Sequence, residues 1–135
     1  MNTPLSQSDL GIYVHIPFCL RKCRYCAFYS EPIALHDPKT VVEAIIRELD
    51  LYRASEPIQT LYIGGGSPTC LPTELLCDLI RAITARTGVP QECTVECNPA
   101  QADTKMFELL LNCGVNRLSI GAQSFTPAEL ETLGR

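Results

Sequence analysis

The sequence predicts an α/β fold in which parallel strands alternate with helices. Four short runs rich in apolar and β-branched residues are each followed by a loop of glycine, cysteine or polar residues, and then by a segment with helical periodicity. The runs are 12–16, 60–63, 93–97 and 117–120. Strands joined by helices of about ten residues or more form right-handed crossovers in a parallel sheet. The loops after the strands therefore lie together at the carboxyl edge of that sheet.

The predicted helices have recognisable start and stop signals. Asp37 is an N-cap residue with Pro38 in the first turn, and apolar side chains recur at helical spacing from Val42 to Tyr52. The second helix is predicted to begin at Pro72, and the third to run from about Thr104 to Gly114. The fourth is predicted to begin at Thr126.

Alternate residues of the four strands have opposite character. One set is apolar throughout, as expected for a face packed under helices. The other set is polar or small and comprises Tyr13, His15, Tyr62, Gly64, Thr94, Glu96, Asn98, Arg117, Ser119 and Gly121. We interpret this second face as the lining of one shared cavity. The alternative is burial on both sides with satisfied polar groups.

Composition excludes several classes of function. The formal charge of −4 and the pI of about 5.1 argue against a nucleic-acid or anionic-membrane surface. No apolar run approaches the roughly 20 residues that span a membrane. The start, "MNTPLSQSDLG", lacks the features of a secretion signal, which predicts a cytoplasmic protein. In that reducing compartment the eight cysteines are expected to be ligands, catalytic thiols or core residues.

Four strands are too few to close a barrel, and the last strand of an open half would be an unpaired edge. We therefore expect residues 1–135 to be the N-terminal portion of a larger domain that is incomplete at its C-terminus.

The loop after the first strand contains "CLRKCRYCAF", with cysteines spaced C-x3-C-x2-C at Cys19, Cys23 and Cys26. A structural zinc needs a fourth ligand, for which His15 and His36 are weak candidates. A redox pair of Cys23 and Cys26 leaves Cys19 unexplained. An iron–sulfur cube held by three thiolates fits better, because it leaves one iron open for a small molecule.

The cysteine motif resembles that of the radical S-adenosylmethionine (SAM) superfamily. In addition, "YVHIPFC", "LYIGGGSPT", "ECNPA" and "NRLSIGAQSF" resemble the oxygen-independent coproporphyrinogen III oxidase family, which includes a heme-chaperone branch. The resemblance implies the N-terminal part of a (β/α) partial TIM barrel with a 4Fe–4S cluster and SAM. In that superfamily, SAM chelates the open iron, and reductive cleavage of its sulfonium yields a 5′-deoxyadenosyl radical.

The resemblance also implies site residues. The cluster ligands are Cys19, Cys23 and Cys26, and no further catalytic residue is assigned. The residues implied to contact SAM are Tyr13, Tyr25, Gly64, Gly65, Gly66, Ser67, Glu96, Gln123 and Arg135, of which Arg135 occupies the position of a contact to a second SAM in the oxidase branch. The other cysteines, 70, 77, 93, 97 and 113, share no ligand spacing and are expected to be small core residues, with Cys70 the one to watch.

Two functions fit the family. The oxidase branch resembles C-x3-C-x2-C-x-C, whereas this sequence has Phe28 at the position of the last cysteine and resembles the heme-chaperone branch. The resemblance therefore favours a protein that binds heme and passes it to an acceptor protein. The alternative is an enzyme that decarboxylates coproporphyrinogen III to protoporphyrinogen IX. Arg21, Lys22 and Arg24 suggest a landing site for an acidic electron donor such as flavodoxin, or else are simply solvated charges.

Overall fold

The fold is described from a computed structural model, which covers residues 10–52 and 57–135. The first nine residues, on which most of the expectation about a secretion signal rests, lie outside the described residues. The strands are β1 Gly11–Ile16, β2 Phe18–Cys19, β3 Glu31–Pro32, β4 Thr60–Gly65, β5 Glu92–Cys97 and β6 Arg117–Ile120.

Four of these strands form one parallel sheet in the order β1-β4-β5-β6. Each long strand is followed by a helix, so the parallel α/β fold that the sequence predicts is confirmed. The register pairs Tyr13 with Tyr62, His15 with Gly64 and Glu96 with Ser119. The polar positions of neighbouring strands therefore lie side by side on one face.

A second, two-stranded parallel ribbon pairs β2 with β3. The cysteine motif did not predict it, because two-residue strands carry no periodicity. The ribbon joins the two ends of the segment that carries Cys23 and Cys26. Hereafter residues 20–29 are called the cluster loop.

The helices are α1 Pro38–Leu49, α2 Thr73–Thr87, α3 Thr104–Asn112 and α4 Pro127–Leu133. Each helix starts within one residue of its predicted position. Asp37 caps α1 as predicted, since its side chain accepts a hydrogen bond from the Lys39 N–H. The cap of α3 is Asp103, which the sequence did not single out, and Thr126 makes no side-chain capping bond at α4. The prediction that Tyr52 continues α1 is wrong, because the helix ends at Leu49 and Tyr52 is exposed.

The core lies between the apolar face of the sheet and the helices. The side chains of Ile16, Leu61, Ile63 and Val95 are completely buried, and α2 packs over them with four buried apolar residues, Leu76, Leu79, Ile80 and Ile83. Each such burial stabilises the fold by about 1.5–3 kcal/mol. On β6, an edge strand of the described sheet, Ile120 is 51% exposed although its sequence parity predicts burial.

None of the helices in the described part of the chain has the length and apolar character needed to cross a bilayer. The longest of them, α2, has 15 residues and carries charged side chains on its outer side.

Candidate cofactor site at the carboxyl edge of the sheet

At the carboxyl edge of the sheet, the glycine loop, residues 64–70, packs against the end of β1 and against β2, which leads into the cluster loop. The Gly66 N–H donates to the Ile16 carbonyl at 2.9 Å, and the Ser67 N–H donates to the Phe18 carbonyl at 2.7 Å. A Cβ atom on Gly66 would lie 2.3 Å from the Phe18 carbonyl oxygen and 3.0 Å from the Cys19 Sγ. Only glycine allows this approach, so the glycine loop is built against the first cysteine of the motif.

The three cysteines of the motif are half-buried, with Cys19 at the end of β2 and Cys23 and Cys26 in the cluster loop. The Cys26 N–H donates to the Cys23 carbonyl at 3.2 Å, which forms a turn between the second and third cysteines. Burial raises the pKa of the Cys19 thiol, and the neighbouring thiols of Cys26 and Cys23 raise it further. Within residues 10–52 and 57–135, no three His, Cys, Asp or Glu side chains converge into an assembled metal site.

The surroundings of Cys19 nevertheless fit an iron–sulfur ligand. Ser30 is 6% exposed, and within the described chain its Oγ is the buried side-chain oxygen that lacks a hydrogen-bond partner. The neighbouring Ser30 side chain lowers the pKa of Cys19 against the effect of burial. A buried hydroxyl beside a thiol is suited to donate to a thiolate, and soft thiolates are the donors that iron–sulfur clusters use.

His15 is engaged elsewhere and does not point its nitrogens at the cysteines as a zinc ligand would. Its Nε2 lies 3.0 Å from the Tyr29 carbonyl oxygen, and its Nδ1 lies 3.2 Å from the Tyr13 hydroxyl. A carbonyl can only accept, so Nε2 is the donor in the first of these contacts. His36 is exposed, with its ring centroid 5.6 Å from that of Phe18.

Glu96 is held in place on the polar face by two donors. The Tyr62 hydroxyl donates to its Oε1 at 2.8 Å, and the Gly65 N–H donates to its Oε2 at 3.1 Å. A Cβ atom on Gly64 would lie 3.0 Å from the Glu96 carboxyl and from the Tyr62 ring. Each carboxylate oxygen keeps a free lone pair, so Glu96 can still accept hydrogen bonds from a ligand.

Two tyrosines line this face beside Glu96. The rings of Tyr13 and Tyr62 stack with centroids 5.9 Å apart. Burial raises the pKa of both phenols, and the neighbouring Glu96 carboxylate raises them further. Both hydroxyls therefore stay protonated at neutral pH, and Tyr62 remains a donor to Glu96. Sequence parity placed Tyr62 on the polar face but gave it no role, so its support of Glu96 is new.

A buried polar network supports the glycine loop from beneath. The hydroxyls of Ser67 and Thr69 donate to the Gln101 Oε1 at 2.7 and 2.9 Å, and the Asn98 N–H donates to the Thr69 hydroxyl at 3.3 Å. Sequence reasoning missed Gln101 and Thr69. The motif "ECNPA" ends one residue before Gln101, and a lone glutamine carries no spacing signal.

The fourth β/α unit brings three predicted residues together. The Arg135 Nη1 donates to the Tyr25 hydroxyl at 3.2 Å, and a Cβ atom on Gly121 would lie 3.1 Å from the Gln123 Nε2 and 3.7 Å from the Arg135 Nη1. Gln123 has a φ of 65°, a left-handed conformation that costs a non-glycine residue roughly 1–2 kcal/mol. Such strain is typical of functional turns.

Residues 13–135 match the family model of the Radical SAM superfamily. The chain belongs to this superfamily. The match confirms the resemblance that the cysteine motif indicates, and with the parallel sheet it supports the partial-barrel fold.

Several proteins resemble this radical SAM chain along most of its length. It is 36% identical to the heme chaperone HemW of Escherichia coli over 132 residues, which cover 93% of this chain and 35% of the relative. It is 35% identical to HemW of Bacillus subtilis over 129 residues, covering 91% and 34%. It is 33% identical to the oxygen-independent coproporphyrinogen III oxidase of Cereibacter sphaeroides over 136 residues, covering 94% and 30%. The chain thus spans about a third of the curated relatives it matches.

A solved structure has the same fold. The coproporphyrinogen III oxidase HemN of Escherichia coli superposes with a TM-score of 0.79 at 25% sequence identity, covering 91% of this chain and 30% of that one. HemN is described as a radical SAM enzyme.

The remaining cysteines of this radical SAM chain behave as core residues. Four of them, 77, 93, 97 and 113, are buried. Burial raises the pKa of Cys77 to about 12 and of Cys93 to about 11, which keeps both thiols protonated. Cys70 is half-buried at the end of the glycine loop, and burial together with the nearby Cys19 thiol raises its pKa to about 12.

An open polar cavity of about 600 Å³ lies at the opposite, amino edge of the sheet. Its lining residues are Gln59, Thr60, Gln91, Glu92, Asn116 and Arg117. Arg117 pairs with Glu92 at 3.2 Å within it. None of the predicted cofactor residues belongs to this lining, so the candidate site is confined to the carboxyl edge.

Proposed function

We propose that the chain binds a 4Fe–4S cluster through Cys19, Cys23 and Cys26 and binds SAM on the polar face beside it. The observation that carries this proposal is the contact between the glycine loop and the first cysteine of the motif, in which Gly66 lies against the Cys19 Sγ. This contact places a soft donor beside a backbone that has no side chain in the way.

The other proposed SAM contacts surround this junction. Residues Gly64 to Ser67 of the glycine loop let a ligand approach the backbone closely, because glycine has no side chain. The N–H groups of Gly65, Gly66 and Ser67 and the Ser67 hydroxyl already have partners, so backbone carbonyls are the groups offered here. Glu96, fixed by Tyr62 and Gly65, offers acceptor oxygens. The aromatic and polar contacts are Tyr13, Tyr25, Gln123 and Arg135. When bound, a cluster of this kind supplies an electron to the sulfonium of SAM.

We further propose that the protein acts as a heme chaperone, which binds heme and passes it to an acceptor protein in the cytoplasm. Phe28, which is 67% exposed, stands where the oxidase branch has a further cysteine. The relatives named heme chaperone HemW support the same assignment. An acidic electron carrier such as flavodoxin is the proposed donor, since Arg21, Lys22 and Arg24 are exposed on the cluster loop.

The second candidate is oxygen-independent oxidation of coproporphyrinogen III. It is favoured by the Cereibacter sphaeroides relative, which carries that name, and by the similarity to the HemN structure. The two candidates share the cluster and SAM, so they differ only in whether the porphyrin is transformed or carried.

The test begins with anaerobic reconstitution of the intact chain. Wild-type protein is expected to take up four irons and, after one-electron reduction with dithionite, to give an EPR signal that changes on addition of SAM, because SAM binds the open iron. Replacing Cys19, Cys23 or Cys26 with serine removes a soft ligand and is expected to abolish the signal. Cys70→Ser is the matched control, since Cys70 lies near Cys19 but outside the motif.

Heme and coproporphyrinogen III are then offered separately. Stoichiometric heme binding with no vinyl product, in the presence of SAM and a reductant, is the result expected of a chaperone. Formation of protoporphyrinogen would establish the oxidase instead. Absence of a cluster from the wild-type protein, or a signal indifferent to SAM, would reject both.

A further inference from the structure

The end of α4 and the residues after it are hydrogen-bonded to the cluster loop. Three contacts join them: the Arg24 N–H donates to the Leu133 carbonyl at 3.3 Å, the Arg21 guanidinium donates to the Gly134 carbonyl at 2.9 Å, and the Arg135 guanidinium donates to the Tyr25 hydroxyl at 3.2 Å. We call residues 133–135 the clasp. The clasp and the cluster loop are more than 100 residues apart in sequence, so the contacts are tertiary.

Physical chemistry favours this arrangement. The last carbonyls of a helix have no intrahelical partner and carry partial negative charge, and a guanidinium satisfies both needs. Gly134 has a φ of 75° and a ψ of 35°, the left-handed conformation in which glycine commonly ends a helix. A Cβ atom there would lie 3.1 Å from the Arg24 Cγ. Glycine therefore serves both the turn and the close approach of the loop.

The cluster loop depends on the clasp more than on any other segment. Within the described chain, four hydrogen bonds tie the cluster loop to other segments: three end in the clasp, and the fourth runs from the His15 Nε2 to the Tyr29 carbonyl. The remaining bond of this stretch, from the Cys26 N–H to the Cys23 carbonyl, is internal. Three of the four connect the loop to one short piece of chain, so that piece sets the position of the loop between Cys19 and Cys26.

We propose that the clasp is a positioning element for the cluster, which holds the cluster loop in register with the fourth β/α unit. It thereby controls how firmly the three cysteines retain iron and how Tyr25 is presented beside Arg135. Arg21 and Gly134 are its positioning residues. The proposal rests on the proposed cluster at Cys19, Cys23 and Cys26, and it assigns Arg21 a structural bond in addition to its charge.

Two matched pairs of variants isolate the clasp in the intact chain. Arg21→Ala removes a positive charge and the bond to the Gly134 carbonyl, whereas Lys22→Ala removes a charge from the same loop and no clasp bond. Gly134→Ala places a methyl group against Arg24, whereas Gly114→Ala imposes a comparable positive-φ penalty where no atom lies within 4 Å.

The first measurement uses the reconstituted protein. The rate of iron transfer to a ferrous chelator is expected to rise about fivefold in Arg21→Ala and Gly134→Ala, the factor that one partly exposed, charge-assisted hydrogen bond supplies. Lys22→Ala and Gly114→Ala are expected to stay within about twofold of the wild-type rate. The change in the EPR signal on addition of SAM is expected to weaken in the two clasp variants, with Arg21→Lys between Arg21→Ala and wild type.

The second measurement uses the protein without a cluster. Hydrogen exchange of residues 20–26 is expected to accelerate about fivefold in the two clasp variants and to remain unchanged in the two controls. Equal iron loss from Arg21→Ala and Lys22→Ala, together with equal exchange, would overturn the clasp. If the wild-type protein takes up no cluster, the proposed function fails, and hydrogen exchange alone decides whether the clasp holds the loop.

Discussion

The glycine loop and the cluster loop lie at the same edge of the sheet but are built in opposite ways. The glycine loop is buried and bonded: Ser67 and Thr69 are less than a tenth exposed, and both hydroxyls donate to Gln101. The cluster loop is open, with Leu20 and Phe28 each about two thirds exposed. The glycine loop is therefore held by a buried network, whereas the cluster loop is exposed and held mainly by the clasp.

This difference follows from the donors that each loop offers. Backbone amides and hydroxyls find partners within the protein, so the glycine loop is complete without a ligand. Thiols are weak hydrogen-bonding groups, and three of them gain a common partner only when a metal centre binds them as thiolates. The glycine loop then provides a fixed surface beside the three cysteines.

The largest effect on stability is expected from Gly66→Ala, which changes the glycine loop. The new Cβ would meet the Phe18 carbonyl at 2.3 Å, so the backbone itself must move. We expect a loss of at least about 3 kcal/mol in the free energy of unfolding of the cluster-free protein. Urea titration followed by circular dichroism measures it.

Gly114→Ala is the control for Gly66→Ala, because its Cβ meets nothing within 4 Å. It is expected to cost only the roughly 1–2 kcal/mol of its positive φ. Similar losses in the two variants would show that the glycine loop is not pre-formed.

The next largest effect is expected on the reactivity of Cys70, compared between the folded and the unfolded chain. The thiolate is the nucleophile, and burial holds the pKa of Cys70 at about 12, well above its ordinary 9.0. At pH 8, iodoacetamide should therefore label Cys70 at least about a hundredfold more slowly in the folded chain than in urea. Peptide mass spectrometry follows each cysteine separately. Labelling of Cys70 at the same rate in both states would contradict the buried loop.

The same raised pKa values make stability depend on pH. Folding favours the protonated thiols of Cys70 and Cys77, so their contribution is complete below about pH 9 and is lost as the pH rises toward about 12. The cluster-free protein should become steadily easier to unfold with urea across that range.

A smaller effect is expected from Gln101→Ala, which removes the acceptor of two hydroxyls. Leaving the Ser67 and Thr69 hydroxyls without it should cost about 2–3 kcal/mol of unfolding free energy. In a double-mutant cycle, Ser67→Ala should cost about 1 kcal/mol less in the Gln101→Ala background than in wild type. Additive losses would mean that the bond between Ser67 and Gln101 contributes nothing.

The smallest effect on stability is expected on the side of the cluster loop. Ser30→Ala removes a buried hydroxyl that has no partner in the cluster-free protein, so the free energy of unfolding should change by less than about 0.5 kcal/mol. In the loaded protein the same variant should lower the reduction potential of the cluster, because a hydroxyl bond to a ligand sulfur stabilises the more negative, reduced state.

Potentiometric titration followed by EPR measures this shift, with Ser30→Thr as the variant that keeps a hydroxyl. An unchanged potential in Ser30→Ala would separate Ser30 from the cluster. A large loss of stability in the cluster-free protein would show that the hydroxyl already has a partner.

Sequence reasoning recovered the sheet and its chemistry because both depend on periodic or spaced signals. The fourth strand, Arg117–Ile120, is observed with the predicted bounds, and the Asp37 cap lies where its side chain and Pro38 place it. The cysteine spacing and the glycine motif pointed to two segments that the structure brings into contact at Gly66 and Cys19.

What the sequence did not predict depends on contacts between distant segments. Gln101 supports Ser67 across 34 positions, and Arg21 reaches Gly134 across 113, and neither pairing leaves a pattern in either segment. Ile120 had the right parity for burial, but parity reports which face a residue occupies and not whether that face is covered. Supporting residues of a site are for this reason harder to predict than its ligands.

The short β2–β3 ribbon has one more consequence. Because Phe18 pairs with Glu31 and Cys19 with Pro32, the intervening segment leaves the scaffold and returns to it at adjacent points. The stability of the parallel sheet should therefore depend only weakly on the length of this segment, since closing a somewhat longer loop costs little extra entropy. Insertions and altered cysteine spacings can therefore be introduced into this segment without changing the sequence of the sheet.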